Sequence, residues 1–171
     1  MSDLGVELYG QPCRECGFSW DTDLDQATAI VAGAGDRYRH LLADAAGTER
    51  HPDLGWSVTA YVCHVVDNLR IWAERVAGIA LGGPRSVSGC DEDALGDVRR
   101  YEDIGLPAAL WALPRAADDW LTAVRMAPPG LAMEHSAFGQ LTLLEVVLLS
   151  AHDTDHHAWD VERSLAAVRS R

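Results

Sequence analysis

The residues best suited to chemistry in this chain are its histidines, seven in all. His152 and His156 are four apart in a segment of helical apolar spacing. That places both imidazoles on one face, with Cβ atoms about 5–6 Å apart. Both rings can then reach a single metal ion at about 2.0–2.1 Å. One helix cannot surround an ion, so a third ligand must come from another element. His64 lies midway along an earlier apolar stripe, at a depth where a bundle can turn it toward the later helix. The bland alternatives are a solvated histidine pair and a hydrogen-bonded core histidine. The run Ala151-His152-Asp153-Thr154-Asp155-His156-His157 is dense in ligand types within an otherwise apolar helix, which favours the metal. Asp67, one turn after His64, or an aspartate of that run can orient an imidazole from behind.

Three neutral imidazoles leave the ion its full double charge and at least one open position, the pattern of a catalytic site. Zinc, nickel or iron all accept such ligands. The open position can hold water with its pKa lowered to about 7, or a thiol kept as its nucleophilic thiolate. Of the four cysteines, Cys13 and Cys16 form a Cys-x-x-Cys pair. Three readings stay open for it: a second, structural zinc site, a redox pair, or ordinary thiols. Cys90, His51 or His135 would complete a four-ligand zinc site. Alternatively the leader folds over the bundle mouth and brings both thiols to the main metal. Cys63 is rotated off the face of His64 and reads as core.

These residues need elements to position them. Residues 1–20 read as an irregular leader broken by Gly5, Gly10, Pro12 and Gly17. A first helix starts near Thr22, with Asp25 in a capping box, and closes at Gly47. A second runs from Ser57 to Ala80 and stops at Gly82-Gly83-Pro84. Residues 84–104 read as a long loop. A third helix covers about Pro107 to Arg125 and is expected to kink or restart at Pro114. A short link then leads to Thr142, which with Glu145 caps a fourth helix reaching about Val168. No segment shows sustained strand alternation, so the expectation is an all-α four-helix bundle, one domain over residues 1–171. Trp56, Trp72, Trp111, Trp120 and Trp159 are expected in the core or lining a pocket; Trp159 and Tyr61 fall where they can wall the metal cavity.

The net charge of −12 supplies no basic surface for phosphates, so no nucleic-acid role is expected. No apolar run approaches the ~20 residues of a membrane span, and Met1 to Gly10 lacks the pattern of a secretory signal. A cytoplasmic protein acting on a small molecule is expected. A homodimer is an open expectation, since bundles with exposed apolar edges often pair. The chain has no Lys but many Arg, Ala and Gly, which suggests a GC-rich genome.

Trp56-Ser57 leading into Tyr61-Val62-Cys63-His64-Val65-Val66-Asp67, and Phe138-Gly139-Gln140-Leu141-Thr142 leading into a helix with His152-x-x-x-His156-His157, together resemble the DinB-like superfamily of metal-binding four-helix bundles. Cys13-Arg14-Glu15-Cys16-Gly17-Phe18 resembles an actinobacterial subgroup of it. The resemblance covers roughly residues 22 to 165. It implies metal ligation by His64, His152 and His156. His157, rotated about 100° from His156, becomes a residue of the pocket or of the shell behind the ligands. It further implies thiol-transferase chemistry with mycothiol or a related low-molecular-weight thiol as cosubstrate. Mycothiol-dependent maleylpyruvate isomerases differ from this chain by an extra C-terminal domain and by a glutamate where His152 stands. The leading expectation is thus a thiol attacking an electrophilic small molecule at the metal. The alternatives are hydrolysis or lyase chemistry by a metal-bound hydroxide, with Glu145 as general base or merely as helix cap, and non-catalytic sequestration of a small molecule.

Overall fold

The computed structural model describes residues 3–169. Four long helices make the bundle: α2 (Leu24–Leu41), α3 (Val58–Ala80), α5 (Leu106–Met126) and α6 (Leu143–Arg169). They pack in the ring order α2, α5, α3, α6, so α2 and α3, consecutive in the chain, face each other across the diagonal. The core is closed by fully buried Tyr38, Val62, Leu69, Leu113, Trp120, Leu141 and Leu148.

The long helices begin within a residue or so of where the sequence places them, but α2 ends at Leu41, six residues before the Gly47 expected to close it. Asp23, not Thr22, caps α2, with Gln26 completing its capping box. Ser57 caps α3, its hydroxyl accepting from the Ala60 N–H at 3.2 Å. Thr142 and Glu145 hold the start of α6: the Thr142 amide and hydroxyl each donate to Glu145 Oε2 at 2.7 Å. α5 runs through Pro114 as one helix rather than restarting there, and the proline ring packs against Gly35 of α2. A Cβ at Gly35 would lie 3.0 Å from Pro114 Cβ.

Four expectations are corrected. The leader carries a short helix, α1 (Asp3–Tyr9), which packs on α6. Gly5 is not a breaker: a Cβ there would come within 2.2 Å of the Trp20 ring, so the glycine lets the helix lie against the indole. The stretch 84–104 holds α4 (Glu92–Arg99), capped by Asp91, and a 3₁₀ turn (Tyr101–Asp103). Its polar composition hid a helix that packs on α3. The link before α6 is a hairpin of β2 (Ala132–His135) and β3 (Gly139–Thr142), joined in parallel by β1 (Ser86–Val87). These strands are too short to show alternation. Trp111 is also corrected. It is 62% exposed, and the Arg115 guanidinium lies 3.6 Å from its ring centroid. No helix among the described residues is long and apolar enough to cross a membrane.

Candidate metal centre

The run His152 to His157 on α6 contains two overlapping pairs at four-residue spacing, His152/His156 and Asp153/His157. They are offset by one residue, hence by about 100° around the helix. The first pair faces the leader and the second faces α3. The expected ligands His64, His152 and His156 are therefore divided between two clusters.

In one cluster, the donor atoms of Cys13, Cys16, His152 and His156 all lie within 4.8 Å of one another. Cys13 Sγ is 3.9 Å from His156 Nδ1. His152 is packed among Tyr9, Trp20 and Phe18, with ring centroids 4.4, 4.8 and 5.5 Å away. Burial, and then His156, push its imidazole down to about 4, so it stays neutral. Burial pushes the Cys16 thiol up to about 12. Trp159 walls this cluster, 5.6 Å from the His156 ring. His51 and His135, considered as partners for the thiols, lie elsewhere: His51 beside Asp53, and His135 between Trp72 and Phe138.

In the other cluster, His64 meets Asp153 and His157. Asp153 Oδ1 is 3.3 Å from His64 Nε2 and 3.4 Å from His157 Nε2. The His157 Nδ1–H donates to Asp160 Oδ2 at 3.0 Å, which directs Nε2 toward Asp153. Burial opposes a charge on His157, but Asp153 and Asp160 outweigh it and raise its pKa to about 10. Burial likewise opposes ionisation of Asp153, but His64 and His157 hold it well below the usual carboxylate range. Tyr61 and Trp56 cover the rings from outside, 5.2 Å from His157 and 5.1 Å from His64.

Both clusters pass the same test of fitness for a metal. His152 Nε2 and Asp153 Oδ2 are buried and have no hydrogen-bond partner. A buried polar atom left so costs about 1–3 kcal/mol unless something else satisfies it. A tetrahedral ion bonded at about 2.1 Å has its ligand atoms about 3.4 Å apart. The Asp153 Oδ1 distances match that edge, while Oδ2 of the same carboxylate is the unpartnered atom.

Both clusters border one cavity, one through His64 and Asp153 and the other through His152. His64, Asp153 and His152 line a cavity of about 150 Å³, with Tyr9, Glu92, Trp72, Arg75, His135 and Phe138 around it. Glu92 Oε2 reaches within 3.9 Å of His64 Nε2 from the rim. Two residues weighed for catalysis are placed otherwise. Asp67 faces away from His64: its Oδ2 accepts from Tyr101 Oη–H and from Arg99 Nε–H, each at 2.7 Å. Glu145 serves as the α6 cap. Sequence reasoning did not group Asp153 with His64 as a candidate ligand, although its four-residue spacing to His157 was in view. Glu92 carried no signal, since α4 was read as loop, and His135 was weighed only as a partner for the thiols and not as a cavity residue.

The DinB superfamily model matches residues 32–161. Among solved structures, the fold is similar to YfiT from Bacillus subtilis, described as a probable metal-dependent hydrolase with an unusual four-helix bundle topology. The TM-score is 0.70 at 15% identity, over 98% of this chain and 97% of that one. No curated protein matches.

Proposed function

The chain belongs to the DinB superfamily, and from that premise we propose that it is a metal-dependent enzyme acting on a small molecule, with His64, Asp153 and His157 holding a divalent ion. The observation that carries this reading is the convergence of the three side chains beside the 150 Å³ cavity that His64 and Asp153 line. One carboxylate and two imidazoles leave a positive charge on the ion and a position open, as a catalytic site requires. When bound, such an ion supplies a Lewis acid and water acidified to a pKa near 7.

The residues around it have separate tasks. Asp160 fixes the His157 ring by its hydrogen bond. Glu92, 60% exposed at the rim, is the carboxylate placed to take a proton, in place of Glu145. The His135 Nδ1 accepts from the Ala137 and Phe138 amides, so its proton sits on Nε2. His135 and Arg75 give the far end of the cavity donors for a carbonyl or an anionic group.

The preferred reaction is hydrolysis. Pockets for drug-sized ligands run to about 300–1,000 Å³, well above this cavity. A small substrate and a water fit the available space better than a substrate together with mycothiol. The notable relative's description as a probable hydrolase agrees with this. Protein loaded separately with zinc, nickel or iron is assayed on small esters, amides and lactones, with and without a low-molecular-weight thiol. Multiple turnovers without thiol are expected, with His64→Ala inactive. Turnover only with thiol replaces hydrolysis by thiol transfer. Saturation at one ligand per chain without turnover replaces an enzyme by a binding protein.

A further inference from the structure

The cluster facing the leader is chemically unlike the one facing the cavity, and it suits a different task. We propose that Cys13, Cys16, His152 and His156 bind a second, structural zinc ion that staples the N-terminal leader to α6 and so builds one wall of the substrate cavity.

Four observations carry this. First, two cysteines and two histidines are a complete tetrahedral set, and their donor atoms already lie within 4.8 Å of one another. With Zn–S near 2.3 Å and Zn–N near 2.0 Å, a sulfur–nitrogen edge is about 3.5 Å. Cys13 Sγ to His156 Nδ1, at 3.9 Å, is close to that length. Second, His152 is 4% exposed and its Nε2 has no partner, so a ring of the cluster carries a buried nitrogen that nothing else satisfies. Third, the other nitrogen of His156 is provided for: Nε2 lies 3.4 Å from Glu15 Oε2, a carboxylate behind a ligand histidine. Fourth, the Cys-x-x-Cys segment is a closed turn. The Cys13 amide donates to Phe18 O at 2.8 Å, and Cys13 O accepts from the Gly17 amide at 3.0 Å. Gly17 has φ of +78°, which a side chain would disfavour.

Charge separates the two sites. On binding, each thiol releases its proton to solvent, and no electrons move. Two thiolates and two neutral imidazoles then cancel the double charge of zinc. A neutral complex is tolerable among Tyr9, Phe18 and Trp20, where a net charge would be costly. Four protein ligands also leave no position for substrate, in contrast to the site at His64. The functional consequence runs through Tyr9. It ends α1, lies 4.4 Å from the His152 ring, and lines the cavity with His64 and Asp153.

The test is cobalt and zinc loading of the full chain. Wild-type protein is expected to hold two zinc ions, and its cobalt form to show the near-ultraviolet sulfur-to-metal charge-transfer absorption of a thiolate site. That spectrum requires no variant to fold. Cys13→Ser/Cys16→Ser is expected to lose one zinc and the absorption. His64→Ala is expected to lose the other zinc and keep the absorption, so failure of the catalytic reading stays distinguishable from failure of this one. Chelation is expected to expose the leader to trypsin at Arg14. A Cys13–Cys16 disulfide in freshly isolated protein, a cobalt form without thiolate absorption, or two zinc ions retained by the double serine variant would each overturn the proposal.

Discussion

Replacing Asp153 by asparagine tests the open site most directly, because it removes a charge while keeping the shape. Asp153 Oδ1 stands 3.3 Å from His64 Nε2 and 3.4 Å from His157 Nε2, so the carboxylate is the joint of the cluster. Loss of a group merely supporting a ligand weakens metal binding by roughly 10–100-fold. Loss of a charged ligand should exceed the upper figure, which corresponds to about 2.8 kcal/mol at 1.4 kcal/mol per decade. The metal-free protein also loses part of a largely buried ion pair. Breaking such a pair costs about 3–5 kcal/mol, and the low end applies because His157 keeps Asp160 at 3.0 Å. At roughly 2–4 °C per kcal/mol for a chain of this size, the metal-free melting temperature should fall by about 6–12 °C. Competition against a chromophoric chelator measures the affinity, and calorimetry with the metal removed measures the stability. An Asp153→Asn protein that binds the ion at the open site as tightly as wild type would refute the assignment of Asp153 as a ligand.

Asp67→Asn should lower stability by about 2 kcal/mol through its buried hydrogen bonds to Tyr101 and Arg99, with metal content unchanged; denaturation and elemental analysis together check this. Gly5→Ala should destabilise by about 1–3 kcal/mol, although alanine favours an isolated helix, because its Cβ would overlap the buried Trp20 ring; thermal unfolding gives the sign. Thiol titration of the native, metal-loaded protein at pH 8 should count the exposed Cys90 alone. Chelation should add Cys13 and Cys16, while Cys63, pushed up to about 12 by burial and then by Asp67, should react only on unfolding.

The sequence was enough for the parts of this protein that depend on local physics. Apolar spacing defined four long helices, and side chains such as Ser57 and Thr142 marked where two of them begin. Four-residue spacing put His152 and His156 on one face, and Cys-x-x-Cys announced a pair of thiols. Elements whose stability comes from contact stayed hidden. α4 is short and polar, and α1 contains a glycine whose purpose is visible only against Trp20.

The grouping of the candidate ligands was likewise beyond the sequence. In the run from His152 to His157, both i,i+4 pairs satisfy the ligand rule equally well. Choosing which of them meets His64 requires the rotation of α6 about its own axis. That rotation is set by packing against α2 and α3 and by the leader docking on α6. A difference of one residue is about 100° of rotation. It separates a single three-histidine cluster from the arrangement found, His64 with Asp153 and His157 beside a cysteine–histidine cluster.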